Sequence, residues 1–275
     1  MTDPFLLVAV FVVGACIGSF LNVCIARWPA KQSVVAPRSR CPHCAHAIGW
    51  AENIPIVSWL VLRARCRGCG ARISFQYPAV ELATALGWVG AFWAFPDPFV
   101  ALRVAVFGTV LLGIAVTDAK HYLIPDEFTV FGLGWALATA AVAMVMGSGL
   151  PFANLIDAVY GACVGAGAIA IVAWLGEVAL KKEAMGFGDV TLMAVIGAAL
   201  GPSLALLVIF VGALLGAVAF LLVVLPIGWM RSRRRGAAYE TPLVPFGVFL
   251  APAAMLTLLW GRPAIDWYRA TILMG

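Results

Sequence analysis

The chain has 275 residues, of which 63% are hydrophobic and only 11% are charged, with a mean hydropathy of +1.01 and a net charge of +5. A water-soluble domain is about 45–50% apolar and about 25% charged, so this composition excludes an ordinary soluble protein and predicts one that uses lipid as its solvent. The positive charges are divided among the segments between apolar stretches. They therefore indicate membrane topology and contact with lipid headgroups, and not nucleic-acid binding.

Seven stretches without Asp, Glu, Lys or Arg follow one another along the chain. They are residues 4–26, 82–96, 104–117, 128–156, 158–176, 190–230 and 241–261. The sixth is long enough for two spans of about 20 residues, and Gly201-Pro202 is its natural break. The second and third reach spanning length when they include Glu81 or Arg103. The sequence thus predicts an all-α polytopic membrane protein with about eight transmembrane helices, of which the sixth is the shortest.

The basic residues predict the orientation of these helices. Of the 18 Lys and Arg residues, 15 lie in segments that an eight-span arrangement places on one face. The positive-inside rule assigns that face to the cytoplasm and leaves both termini outside, and residues 231–235 are predicted to begin a cytoplasmic loop. The predicted organisation is a first transmembrane helix (1–27), a small cytoplasmic domain between helices 1 and 2 (28–77) and a membrane-embedded domain (78–275).

The cytoplasmic segment contains two C-x-x-C motifs, Cys41-Pro-His-Cys44 and Cys66-Arg-Gly-Cys69. Two such motifs 21 residues apart match the ligand spacing of a tetrahedral thiolate zinc site. A metal would also explain how a segment too short for its own core can fold. Two disulfides are the alternative, which a reducing cytoplasm disfavours. We therefore predict a structural zinc site, with His43 and His46 outside the ligand set.

Two aspartates lie at the edges of predicted spans, Asp118 at the end of the third and Asp189 at the start of the sixth. A carboxylate inside the membrane costs about 2.5–3.5 kcal/mol on insertion scales, so each needs a reason to be there. Both are predicted near the cytoplasmic face, and Gly186 and Gly188 would let a substrate backbone approach Asp189 closely. Capping of a helix N-terminus is the alternative for Asp189, as it is for Asp126 at the start of the fourth span.

Paired carboxylates suit peptide hydrolysis for a definite reason. At close range the two cannot both ionise easily, so one keeps its proton. The ionised member can take a proton from water while its partner polarises the scissile carbonyl, and no metal is required. Asp118 and Asp189 are predicted to form such a dyad. Asp157 and Glu177, near the two ends of the fifth span, are predicted to be structural.

At these residues the sequence resembles the type IV prepilin peptidases, the GxGD aspartyl leader peptidases and N-methyltransferases of pilus and type II secretion systems. The resemblance covers nearly the whole chain. Besides the four cysteines, the matching motifs are Gly18-Ser19-Phe20-Leu21-Asn22-Val23, Arg27-Trp28-Pro29, Glu52-Asn53-Ile54-Pro55, Ser58-Trp59-Leu60, Ile73-Ser74, Tyr77-Pro78, Val80-Glu81, Asp118, Leu123-Ile124-Pro125-Asp126 and Gly186-Phe187-Gly188-Asp189.

The resemblance implies that Asp118 and Asp189 are the catalytic aspartates. It implies that the partners are prepilins or pseudopilins, cut at the cytoplasmic face of the inner membrane after a Gly and before a residue that is usually Phe. It also implies methylation of the new amino group with S-adenosyl-L-methionine as donor. The loop that carries the cysteines is tied to methylation, with Glu52 and Asn53 as candidate residues. The oligomeric state and the donor site are left open, since the chain has no glycine-rich dinucleotide fingerprint.

One position departs from the family pattern. Relatives usually have Gly two residues before the third cysteine, and this chain has Ala64. Alanine is a small change, but it is unfavourable wherever the backbone needs a positive φ. The methyltransferase interpretation therefore depends on the backbone conformation at Ala64.

Two other functions are compatible with parts of the sequence. A secondary transporter or channel would use Asp118 and Asp189 as a proton or ion relay, since intramembrane acids and broken helices serve that role as well. It gives no reason for a cysteine domain. A purely structural secretion-system subunit would use the cysteine domain for docking.

Overall fold

The computed structural model describes residues 3–148, 150–181, 185–235 and 244–273. Within these ranges the chain forms no strand, and only two isolated antiparallel bridges occur, Arg40 with Ala47 and Arg65 with Arg72. The α-helices found there are α1 (Pro4–Arg27), α2 (Val57–Val61), α3 (Gln76–Ala94), α4 (Pro98–His121), α5 (Asp126–Met146), α6 (Leu155–Leu180), α7 (Phe187–Leu200), α8 (Pro202–Ala219), α9 (Leu225–Arg235) and α10 (Gly247–Tyr268).

The predicted all-α membrane architecture is confirmed. Six segments of the described chain are long and apolar enough to cross a membrane: Pro4–Ala30, Pro98–His121, Asp126–Met146, Leu155–Ala179, Pro202–Met230 and Gly247–Ile272. Helix α3 has 19 residues and the apolar helix α7 has only 14. With these two the fold contains about eight long helices, and the sixth of them is the shortest, as predicted.

Several helix ends lie beyond the charge-free stretches. Helix α4 takes in Arg103 near its start, and it continues past Asp118 to His121. The Arg103 guanidinium lies 5.8 Å from the centre of the Phe99 ring, and such a cation–π contact helps to accommodate a charge away from water.

Helix α9 includes residues 231–235, where a loop was predicted. Gly147 follows α5 in the left-handed conformation, and residue 149 lies outside the described residues.

The chain divides into two compact units, Met1–Thr117 and Asp118–Gly275. In the first unit α1 packs against α3. A Cβ on Gly14 would lie 2.8 Å from the Ala85 Cα, and one on Gly18 would lie 2.7 Å from the Glu81 Cα. Larger residues at these two positions would therefore push the helices apart, because the backbones touch directly. Glycines four residues apart are typical of such close helix pairs in membranes.

In the second unit α7 is the central helix and packs against α5, α6, α8 and α10. It is apolar on all sides and buried from Val195 to Leu200, as expected of a helix surrounded by other helices. The α6 and α7 backbones meet where Gly161 opposes Gly197, and a Cβ on either glycine would overlap the other helix. This contact fixes the position of α7, whose first turn contains Asp189.

The carboxylates of the fifth predicted span lie where the sequence placed them. Asp157 is in the first turn of α6, where its backbone amide donates to the Asn154 side chain at 2.9 Å. The Asn154 amide nitrogen in turn donates to the Asp157 carboxylate at 2.8 Å. Glu177 lies in the last turn of the same helix.

Candidate metal centre and carboxylate site

The four cysteines of the loop between α1 and α3 come together in the first unit. Their sulfur atoms all lie within 4.8 Å of one another. The Cys41–Cys69 and Cys44–Cys66 pairs are each separated by 3.9 Å. A tetrahedral site with metal–sulfur bonds of about 2.3 Å requires sulfurs about 3.8 Å apart, whereas a disulfide requires about 2.05 Å. The tetrad can therefore hold a metal ion, and its geometry is not that of two disulfides.

Each C-x-x-C motif forms a tight hairpin of the same design. The amide of the first cysteine, Cys41 or Cys66, donates to the carbonyl five residues later. The amide of the residue after the second cysteine donates to the carbonyl of the first cysteine. That residue has positive φ in both hairpins: 57° at Ala45 and 73° at Gly70. The two halves of the tetrad are thus shaped by local hydrogen bonds, which leave the sulfurs on the inner side of each turn.

Backbone amides also act on the sulfurs. The N–H groups of Cys44 and His43 are directed at the Cys41 sulfur and lower the pKa of that thiol to about 6. A lower thiol pKa favours the thiolate, which is the form that binds a metal. The Gly68 amide similarly donates to the Cys66 sulfur at 3.4 Å.

Glu52 links the two hairpins. Its Oε2 accepts the Gly49 amide at 3.1 Å and lies 3.1 Å from His46 Nε2, while its Oε1 lies 3.7 Å from an Arg67 nitrogen. The Gly49 amide and His46 hold the pKa of this carboxyl below its usual range. His46 is close to the tetrad, yet it contacts Glu52 and is not part of the sulfur cluster. No sequence pattern predicted this contact between His46 and Glu52.

A cavity of about 410 Å³ lies beneath the tetrad, between the end of α1 and the start of α3. Glu52 and Asn53, the two methylation candidates, line it, together with Trp59. At its floor are two side chains from the membrane helices, Asn22 and Glu81, which are only 3% and 8% exposed. Cavities of roughly 300–1,000 Å³ are the usual size for small-molecule and cofactor sites.

The position that departs from the family pattern has a left-handed backbone. Ala64 has φ of 56° and follows Arg63 at 52°. The amide of Ala64 donates to the Trp59 carbonyl at 2.9 Å, and its carbonyl accepts the Ile73 amide at 2.8 Å. These bonds fix the turn that leads into the second hairpin. The condition under which alanine is unfavourable is therefore met at this site.

The second unit contains the two aspartates. Asp118 is 6% exposed in the last turn of α4. The backbone amides of Gly247 and Val248, at the start of α10, lie beside its carboxylate. A Cβ on Gly247 would lie only 2.8 Å from Asp118 Oδ2 and 3.1 Å from Ile124 Cδ1. Helix α10 thus begins against the Asp118 carboxylate, and glycine is the residue that permits this approach.

Asp189 lies in the first turn of α7, three residues after the N-cap Gly186. Its carboxylate is directed back at the Gly186 amide, which is the arrangement of the third helical residue in a capping box. A Cβ on the neighbouring Gly188 would lie 2.9 Å from Ile124 Cβ. Ile124 therefore lies near both the Gly188 backbone, beside Asp189, and the Gly247 backbone, beside Asp118.

Asp126 has a different environment. The N-cap of α5 is Pro125, so Asp126 is a first-turn residue and not the cap that was considered as its alternative role, and its side chain is exposed. A carboxylate in the first turn still interacts favourably with the helix dipole. The contrast with buried Asp118 distinguishes the two acids that flank the α4–α5 connection.

Gly247 is the main residue of this region that the sequence analysis missed. It lies in an apolar stretch that was assigned as a span, and nothing in that stretch points to Asp118. The only available signal was Pro245-Phe246-Gly247, a proline and a glycine at the start of a helix.

These features define a class of protein: an integral membrane protein with a carboxylate at the end of α4, another in the first turn of α7, and a cysteine-tetrad segment between its first two long helices. Residues 12–95 match the family model described as the bacterial peptidase A24 N-terminal domain, and residues 105–221 match that of the type IV leader peptidase family. The chain belongs to the type IV leader peptidase family. The resemblance stated from the motifs is thereby confirmed.

Named relatives are similar over most of their length. A prepilin leader peptidase/N-methyltransferase of Myxococcus xanthus is 38% identical over 271 residues, which cover 98% of this chain and 77% of the relative. A protein of the same name from Stutzerimonas stutzeri is 37% identical, with 91% and 89% covered, and one from Pseudomonas aeruginosa is 36% identical, with 90% and 88% covered. No solved structure matches the chain.

The backbone at Ala64 yields a prediction. Ala64→Gly removes a left-handed strain of about 1–2 kcal/mol, and it adds about 0.5–1 kcal/mol of chain entropy to the unfolded state. We expect a net stabilisation of the loop by about 0.5–1 kcal/mol. It would be measured as slower metal loss to a chelator and a higher unfolding midpoint.

Ala71→Gly is the matched control, because Ala71 lies in the second hairpin and has no positive φ. It should lower the same midpoint, because glycine at position 71 relieves no strain and only increases the conformational entropy of the unfolded chain. A decrease for Ala64→Gly equal to that for Ala71→Gly would contradict the strain assigned to Ala64.

Proposed function

We propose that this protein cleaves the leader peptide of prepilins or pseudopilins after a Gly, with Asp118 and Asp189 as its catalytic dyad, and N-methylates the new terminal residue. The observation that supports the proposal is the packing of Ile124 against both Gly188, which precedes Asp189, and Gly247, which lies against Asp118, in a chain of the type IV leader peptidase family. The named relatives carry both activities in their names.

The chemistry follows from the pair. Two carboxylates in electrostatic contact titrate together, and the state with one shared proton is favoured over the doubly charged one. The ionised member takes a proton from water, which attacks the peptide carbonyl. The protonated member donates a hydrogen bond to the carbonyl oxygen, where negative charge develops. The exposed glycine backbone around Gly186 leaves room for an extended substrate segment to approach Asp189.

The proposed metal is zinc, which Cys41, Cys44, Cys66 and Cys69 would hold. The donor set supports this assignment, because four thiolates close a tetrahedral shell and leave no position for a substrate. Zinc would supply folding free energy to a loop without a core of its own. S-adenosyl-L-methionine would supply the methyl group when bound, and the cavity that contains Glu52 and Asn53 has the size for a ligand of this class.

We propose that the carboxylates and the cysteine loop face the cytoplasm. The distribution of basic residues supports this orientation, because eight cations and only one acid lie between Arg27 and Arg72. A transporter or channel remains a poorer account of the same carboxylates. It explains neither the tetrad nor the family to which the chain belongs.

The first prediction concerns the dyad. Asp118→Asn and Asp189→Asn preserve shape, but neither amide can accept the proton of water, so each should reduce prepilin cleavage by at least about 10²–10⁴-fold. The double variant should be scarcely worse than either single one, because residues that act as a unit are non-additive. Cleavage would be followed by mass spectrometry of the product N-terminus in membranes with matched protein levels.

Asp126→Asn is the control for the dyad. The same chemical change is made at an exposed carboxylate close in sequence, and it should leave most of the activity. Near wild-type cleavage by Asp118→Asn or by Asp189→Asn would rule out the aspartyl mechanism.

The next prediction concerns the metal. The purified protein should contain about one zinc per chain, and Cys41→Ser or Cys69→Ser should lose it, because each removes one of four ligands. Cys163→Ser, which changes a cysteine outside the tetrad, should retain it. Removal of zinc should reduce methylation more than cleavage, since the dyad needs no metal. Equal loss of both activities would mean that the loop also supports the peptidase site.

The orientation can be tested with reporter fusions. Fusions at residues 50, 120, 183 and 236 should report a cytoplasmic position, and those at 97, 148 and 275 an external one, because eight spans place all basic segments on one side. A cytoplasmic reading at residue 275 would contradict the eight-span topology.

A further inference from the structure

The floor of the cavity in the first unit contains two buried hydrogen-bond acceptors. Asn22 comes from the end of α1 and Glu81 from the start of α3, and both line the cavity. They are 3% and 8% exposed, so neither is paired with bulk water. A buried polar group without a partner is costly, which makes the bonding of these two side chains informative.

The orientation of the Asn22 amide is fixed by its neighbours. Its nitrogen donates to the carbonyls of Gly18 and Tyr77, at 3.3 and 3.0 Å. Because both neighbours are acceptors, the nitrogen must face them and the oxygen must point away. Among the residues that the structure describes, Asn22 Oδ1 has no hydrogen-bond partner. One nine-tenths-buried oxygen in the cavity floor is therefore available to a donor.

Glu81 supplies the charge. Its Oε2 accepts the Ile56 amide at 2.7 Å, and the Ser19 hydroxyl also hydrogen-bonds to the carboxylate. These bonds come from a peptide N–H and a hydroxyl, neither of which neutralises the negative charge. A carboxylate accepts up to about four hydrogen bonds, so Glu81 retains acceptor capacity. A buried carboxylate and a free amide oxygen from side chains that line one cavity can together recognise a cation that donates hydrogen bonds.

The loop above Glu81 is held in a strained conformation. Ile56 has φ of 63° and ψ of −51°, and the Val57 amide donates to the Pro55 carbonyl at 2.6 Å across it. This is a γ-turn of the rare, strained type, and it is least favourable for a β-branched residue. The Glu81 carboxylate holds the Ile56 amide in place. Backbone strain of this kind persists where the surroundings enforce it, which is common around ligand sites.

We propose that Glu81 and Asn22 form a binding site for a primary ammonium group at the floor of this cavity, and that this cavity is where methyl transfer takes place. For a bound substrate terminus, the ammonium first gives a proton to the Glu81 carboxylate. The free amine nitrogen then bonds to the methyl carbon as the S–C bond of the sulfonium breaks and leaves a thioether. An ammonium has three N–H donors for these acceptors, whereas a sulfonium has none and cannot satisfy Asn22 Oδ1. The inference rests on the proposed function and extends it to named residues. Two sources can supply the ammonium: the new N-terminus of the cut substrate and the amino-acid end of the methyl donor.

Binding to the full-length protein, with no turnover, tests the site. The probes are a peptide with a free N-terminal Phe, its N-acetylated form, and S-adenosylhomocysteine with and without its amino group. The wild-type protein should bind at least one free-amine probe about tenfold or more tightly than its blocked form. Glu81→Gln should lose that preference, because the amide still accepts the Ile56 N–H but carries no charge.

The pattern of loss identifies the source. If Glu81→Gln loses only the preference for the free-amine peptide, the site binds the substrate terminus. If it loses only the preference for S-adenosylhomocysteine with its amino group, the site binds the methyl donor. Equal binding of free and blocked forms of both probes to wild-type protein would overturn the ammonium site. So would an undiminished preference in Glu81→Gln.

Asp97→Asn is the matched control, because it neutralises a carboxylate in the same unit that accepts the Phe99 amide and does not line the cavity. It should leave all preferences unchanged. Metal content reports whether the loop of Glu81→Gln remains folded, and methyl transfer by that variant should decrease at least about tenfold. A wild-type protein that neither cuts prepilin nor transfers methyl groups would refute the proposed function. The amine preference of the cavity can be measured in either case.

Discussion

The close approach of helix backbones through glycine determines where the chemical groups of this protein lie. Between helices in lipid there is little hydrophobic driving force, and small residues allow the backbone contact that replaces it. Gly18 lies one turn before Asn22 on α1 and packs against the Glu81 Cα. This contact places the Glu81 carboxylate at the end of the α1–α3 pair. Gly161 and Gly197 join α6 to α7, and Asp189 lies in the first turn of α7. Gly247 lets α10 begin against Asp118. A bulky side chain at any of these glycines would act on the chemistry by moving a helix.

The features that could be predicted from the sequence are those that depend on residues close together in the chain. The run of apolar stretches gave about eight helices, and the C-x-x-C spacing gave the tetrad, because each pattern depends on residues near one another in the chain. Helix ends were less accurate, since a helix can continue past a charged residue, as α4 does at Asp118. The neighbours of the carboxylates could not be predicted. Gly247 meets Asp118 only through packing, and the His46–Glu52 pair depends on how two hairpins fold together.

The cysteine loop stores more backbone strain than a segment of its size can easily support. Five of its residues other than glycine have positive φ: Lys31, Ala45, Ile56, Arg63 and Ala64. At about 1–2 kcal/mol each, the total cost is several kcal/mol in a region with no buried residue between Trp28 and Tyr77. Hydrogen bonds at Glu52 and Glu81 offset part of this cost. A structural zinc contributes about 10–16 kcal/mol in comparable small sites, so metal binding by the tetrad is large enough to account for the fold of the loop.

The two sets of residues lie in different units. The tetrad, its cavity and the Asn22–Glu81 pair lie within residues 1–117, and Asp118 and Asp189 with their neighbours lie within residues 118–275. Under the proposed function, a change in one unit can therefore impair one reaction while the groups of the other keep their geometry. This separation gives the departure at Ala64 a specific meaning. Strain at that residue acts on the tetrad loop, so its effect is expected on the proposed methylation and not on the proposed cleavage at Asp118 and Asp189.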